Sequence, residues 1–119
     1  MNARSLKSDA LVTQYVHVVN EAVGQYDGVL PIDQTIQLAD GLEAGIALYR
    51  SDKSKPGSYF TLGWTDGKLE VLHEGKESHR SYWSMPRQHL ENVVEDPNTY
   101  KESPAKLDLD WLKQRIGLA

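Results

Sequence analysis

The chain has 119 residues, a formal net charge of −4 and no cysteine, with 39% of its residues hydrophobic. That length suits one domain, residues 1–119, that buries a core without covalent staples, and the missing thiols exclude disulfides and thiolate metal sites. No apolar run approaches the roughly 20 residues that span a bilayer, and the polar start MNARSLKSDA lacks the apolar core of a signal peptide, so the expectation is a cytoplasmic protein with no membrane partner.

In chain order, Ser8 or Asp9 can cap a first helix, whose apolar positions Val12, Tyr15, Val16, Val19, Val23 and Tyr26 recur at helical spacing. Gly24 and Gly28 offer its end. Ile36 and Leu38 alternate with polar neighbours, Asp40-Gly41 and Gly45 punctuate, and IALY at 46–49 reads as a strand ahead of the turn-rich SDKSKPGS.

The stretch YFTLGWTDGKLEVLHEG, residues 59–75, holds a Gly-Lys pair and a His-Glu pair. It is not a phosphate loop, because only three residues separate Gly63 from Gly67 and Leu69 follows Lys68 where a hydroxyl is needed for magnesium. It is not a zinc-protease helix either, since the fourth position after His73 is Glu77 and the next histidine is His79. Asp66-Gly67 instead suits positive φ at both central positions of a type I′ turn. That turn pairs Thr65 with Lys68, Trp64 with Leu69, Leu62 with Val71 and Phe60 with His73. Phe60, Leu62, Trp64, Leu69 and Val71 then share a buried face, opposite a mostly wet one on which Leu72 is the apolar exception.

After the polar EGKESHR, Tyr82-Trp83-Ser84 reads as a short last strand. Pro86 suits the first position of a helix running to about Glu95 with Leu90, Val93 and Val94 as its stripe, stopped by Pro97. Asp108 can cap a closing helix with Leu109, Leu112 and Ile116 on one side and Gly117 at its end. The expected fold is α+β: an N-terminal helix, an antiparallel β-meander of four to five strands, and two C-terminal helices covering one sheet face.

Chemistry-bearing patterns are sparse. His73, His79 and His89 fall on a strand end, a loop and a helix, where no local spacing makes them converge, so they read as surface or edge histidines and neither a metal nor a cofactor is expected. Paired carboxylates arise by chance among 17 acids. Trp64 belongs to the core face, whereas Tyr82, Trp83 and Trp111 are candidate partner anchors, because aromatic rings dominate interface energetics. The same rings also suit the margin of a core.

Charge is laid out unevenly. Residues 8–49 contain no Lys or Arg but six acids, Asp9, Glu21, Asp27, Asp33, Asp40 and Glu43, while the rest of the chain holds 13 basic and 11 acidic residues. Asp27, Asp33, Asp40 and Glu43 would form a patch that steers a basic partner, if their loops share a sheet edge. The same composition also describes a solvated acidic face that keeps a small protein soluble. A negative chain argues against direct nucleic-acid binding, which needs clustered basic surface. The leading expectation is a non-catalytic acidic binding protein for a basic protein partner, with an immunity-type inhibitor of a nucleic-acid-cleaving toxin as one concrete case. The alternatives are a small enzyme using His73, His79 or His89, and a homodimeric accessory subunit.

Overall fold

The computed structural model describes residues 3–24, 41–103, 106–107 and 111. A single 3-10 turn, η1 (Ala3–Ser5), leads into α1 (Ser8–Gly24). The helix starts one place earlier than either expected cap allows, with the carbonyl of Lys7 accepting the Leu11 amide at 2.9 Å, so Ser8 and Asp9 lie in its first turn, where Asp9 Oδ1 accepts the Ala10 amide at 2.9 Å. Leu11, Val12, Tyr15, Val16, Val18, Val19 and Ala22 are buried. This stripe, wider than expected, is needed because α1 packs against the sheet and two later helices at once.

Four strands follow, β1 (Glu43–Tyr49), β2 (Ser58–Thr65), β3 (Lys68–Glu74) and β4 (Tyr82–Pro86), in the sheet order β3-β2-β1-β4. β1 begins three residues before the expected IALY. The strand suggested around Ile36 and Leu38 lies outside the described residues. At the β2–β3 turn, Asp66 and Gly67 take φ of 54° and 76°, as a type I′ turn requires. The expected pairs Thr65–Lys68, Trp64–Leu69 and Leu62–Val71 are present. Phe60 meets Glu74 rather than His73, because the register shifts between Thr61 and Leu62 and Leu72 becomes the extra residue of a bulge. Its side chain covers Gly63, where an added Cβ would lie 2.5 Å from Leu72 Cδ1.

The sheet is mixed, not an antiparallel meander. β4 does not return beside β3 but crosses to the far edge and pairs with β1 in parallel, Gly45 opposite Tyr82 and Leu48 opposite Met85. The backbone of Leu69 on the β3 edge is already taken by Asn20 of α1, whose Nδ2 donates to Leu69 O at 2.9 Å and whose Oδ1 accepts the Leu69 amide at 2.7 Å. The crossing segment, residues 75–81, starts at Gly75 with φ of 111° and passes over the sheet face opposite α1. That face is consequently less wet than alternation suggests: Thr61 on it is only 1% exposed.

Pro86 ends β4 and stands at the N-cap of α2 (Arg87–Glu95), which therefore starts one residue later than expected. As expected, α2 ends at Glu95, just before Pro97, and Pro97 then begins a second short helix, α3 (Pro97–Glu102). The closing helix expected from Asp108 lies outside the described residues apart from Trp111, which is helical and buried. Leu11, Tyr15, Ile46, Phe60, Leu62, Met85, Leu90 and Trp111 belong to one core cluster between the sheet and the helical layer. No helix among the described residues is long and apolar enough to cross a membrane.

Candidate functional site

Pairing between β1 and β4 starts at Gly45 and Tyr82, so Glu43 and Ala44 run on past the start of β4. The notch this leaves opens into a cavity of about 370 Å³ walled by residues 43–45, residues 79–83 and Trp111. It is built where two strands begin and where the crossing segment lands, which brings together residues far apart in sequence.

Arg80 stitches the site. Its Nη2 donates to Glu43 Oε1 at 2.7 Å and its Nε to Glu77 Oε1 at 3.2 Å, so one guanidinium ties the start of β1 to the crossing segment. Arg80 is largely withdrawn from solvent, its side chain 17% exposed, whereas the Glu43 side chain is 50% exposed at the rim. Glu77 is the second node. Its Oε1 accepts the Thr61 hydroxyl at 2.8 Å, and its amide donates to Tyr82 Oη at 2.6 Å. The Thr61 hydrogen bond holds the Glu77 carboxyl below its ordinary range, opposed by partial burial and helped by the Arg80 hydrogen bond and by the positive fields of His73 and Arg80. His79 Nε2 stands 3.7 Å from Glu77 Oε2 on the exposed side.

The aromatic residues divide into scaffold and surface. Tyr82 lies flat over Gly45, where an added Cβ would sit 2.7 Å from its Cδ1 and 2.7 Å from Ser81 O. It meets Tyr59 edge to face at 5.0 Å, with Lys76 Nζ 5.4 Å from the Tyr59 ring centre. Trp111 is 1% exposed and its indole Nε1 donates to Tyr15 Oη at 3.4 Å, so it forms the floor of the cavity. Trp83 is different: it stands opposite Ile46 on an edge strand and remains 37% exposed.

Of the residues singled out in the sequence, Glu43, Tyr82, Trp83 and Trp111 therefore meet around one cavity. Asp27, Asp33 and Asp40 lie outside the described residues. The three histidines do not converge: His79 Nε2 stands 3.7 Å from Glu77 Oε2, His73 acts on the same carboxyl electrostatically, and His89 packs in the helical layer between Tyr15 and Tyr100 at 6.3 and 6.2 Å. Among the described residues no group of three His, Asp or Glu side chains is placed to hold a metal ion. Sequence reasoning missed Arg80 and Glu77, which sat in a stretch dismissed as a polar loop. Their i, i+3 spacing was the only available signal. It also missed Arg87 and Glu91, a buried pair at 3.0 Å, although the two flank Leu90 on the apolar side of α2.

Compared with known proteins, the chain matches no family model, no curated protein and no solved structure.

Proposed function

We propose that this chain is a non-catalytic binding protein that engages a basic protein partner at the notch between β1 and β4. The observation that carries this reading is that the half-exposed Glu43 carboxylate and the partly exposed Trp83 ring line the same cavity, with buried Trp111 also in its wall. Trp83 offers apolar area and a π face, and Glu43 offers charge. Together they suit a lysine or arginine side chain, which pairs with carboxylates and stacks on indole faces. Arg80 and Tyr82, held by their own hydrogen bonds, keep the rim in place before a partner arrives, which lowers the ordering cost of association. The acid-rich segment 8–49 supplies a negative field that speeds the approach of a basic partner. An immunity-type inhibitor, presenting carboxylates to a toxin surface that otherwise meets nucleic-acid phosphates, is a concrete case of such a protein.

The test is affinity capture from the native cell with the wild-type chain and with Trp83→Ala as parallel baits. One stoichiometric basic protein retained by the first and depleted by the second supports the reading. An acidic or neutral partner held equally by both baits overturns it.

A further inference from the structure

At the other end of β1, beyond Tyr49, lies a second cavity of about 450 Å³ between the β1–β2 loop, the start of β2 and the start of α1. Three cationic side chains line it, Arg50, Lys55 and Arg87. Arg87 is 5% exposed and fixed on three sides: Nε donates to Glu91 Oε2 at 3.0 Å, Nη1 to Ser8 Oγ at 3.0 Å, and Nη2 to the carbonyl of Leu6. A guanidinium carries five N–H donors, so these three bonds leave two N–H groups on a residue that lines the cavity. Ser8 Oγ also accepts the Ser58 hydroxyl at 2.9 Å, which leaves the proton of Ser8 as a further donor. Arg50 and Lys55 are exposed, and neither forms an ion pair with a described residue. The one acid on the lining, Asp52, has Oδ1 occupied by the amide and hydroxyl of Ser54 at 2.9 and 2.7 Å. Glu91 balances Arg87 from behind, so Arg50 and Lys55 outnumber Asp52 as charges facing the space.

We propose that this cavity binds a phosphate group. Donors converge on it from three elements, the start of α1, the β1–β2 loop and the start of α2, which suits a tetrahedral anion with several acceptor oxygens better than a two-oxygen carboxylate. Arg87 and Ser8 are the fixed donors, and Arg50 and Lys55 close on the anion as adaptable cations. The loop that carries the adaptable pair is shaped by its own backbone, with Gly57 N donating to Leu48 O at 2.8 Å and Lys55 N to Asp52 O at 2.9 Å.

The experiment is an amide-shift titration of the full chain with inorganic phosphate and, separately, with glycerol phosphate, ionic strength being held constant with sodium chloride. Saturable shifts at Ser8, Arg50 and Ser58 are expected, and the double variant Arg50→Gln, Lys55→Gln should raise Kd at least tenfold without changing Tm. Lys55→Gln alone supplies the comparison if the double variant loses stability, with a rise in Kd again expected and an unchanged Kd counting against the site. Tighter binding of glycerol phosphate places the phosphate on a larger ligand, and equal binding favours the free anion; both support the site. Shifts that do not saturate, that chloride alone reproduces, or that persist unchanged in the double variant overturn it.

Discussion

Gly45→Ala probes the joint between fold and site most sharply. The new methyl would lie 2.7 Å from the Ser81 carbonyl oxygen and 2.7 Å from Tyr82 Cδ1. Tyr82 is held through Oη by the Glu77 amide and sits edge to face on Tyr59, and the Ser81 oxygen is backbone, so neither neighbour swings aside at little cost. Overpacking of this kind costs about 1–3 kcal/mol, which for a chain of this size lowers Tm by roughly 5–15 °C. Gly63→Ala is the matched control. Its methyl would sit at 2.5 Å, closer still, but against the free end of Leu72, whose side chain is on an exposed edge and can rotate away. Urea unfolding followed by tryptophan fluorescence should therefore place Gly45→Ala well below Gly63→Ala in midpoint, with similar slopes. Equal midpoints for the two variants, or an unchanged Gly45→Ala, would refute the claim that the crossing segment is packed down onto β1 through Tyr82.

Three further outcomes follow from the same geometry. Asn20→Ala removes both hydrogen bonds to the Leu69 backbone and should cost about 1–3 kcal/mol; the uncovered β3 edge should also raise the aggregation rate, seen as light scattering at fixed concentration. Arg87→Met strands the buried Glu91 carboxylate and should cost about 3–5 kcal/mol, while Arg87→Met with Glu91→Leu recovers most of that loss in denaturant melts. Glu77 has a carboxyl pKa lowered in the folded chain, so its contribution is present above the ordinary value of 4.5 and is lost as pH falls through the lowered folded value. Glu77→Gln should flatten that acid limb of the stability curve, and an unchanged limb would count against the Thr61–Glu77–Arg80 link.

The hairpin was legible because its signals are local: Asp66-Gly67 fixes the turn, and alternation correctly buries Phe60, Leu62, Trp64 and Leu69, although Val71, assigned to the same face, is 38% exposed on the edge strand. The bulge at Leu72 was not, since an apolar residue on the wrong side of a strand reads equally as an exposed exception. The return of β4 was illegible for a different reason. A polar link of residues 75–81 carries no signal for which edge it reaches; in the fold the β1 edge is matched to Tyr82 by Gly45, and the Leu69 backbone on the β3 edge is bonded to Asn20. The candidate site inherits that limit. Glu43, Tyr82, Trp83 and Trp111 could be chosen singly, for charge or aromatic character, but their meeting depends on the β1–β4 register. Arg80 and Glu77 become visible only once the crossing segment is seen to lie over the sheet.

The central claim, that a basic partner docks beside Trp83 under the field of the acid-rich half, is tested most directly by association kinetics with the captured partner across a salt series. Wild type should associate more slowly as salt rises. Changing Asp27, Asp33, Asp40 and Glu43 to their amides should slow association and flatten the salt dependence. Trp83→Ala should instead speed dissociation, with a loss of about 2 kcal/mol, roughly thirtyfold in Kd. Binding indifferent to salt, to the four amides and to Trp83→Ala would contradict the claim.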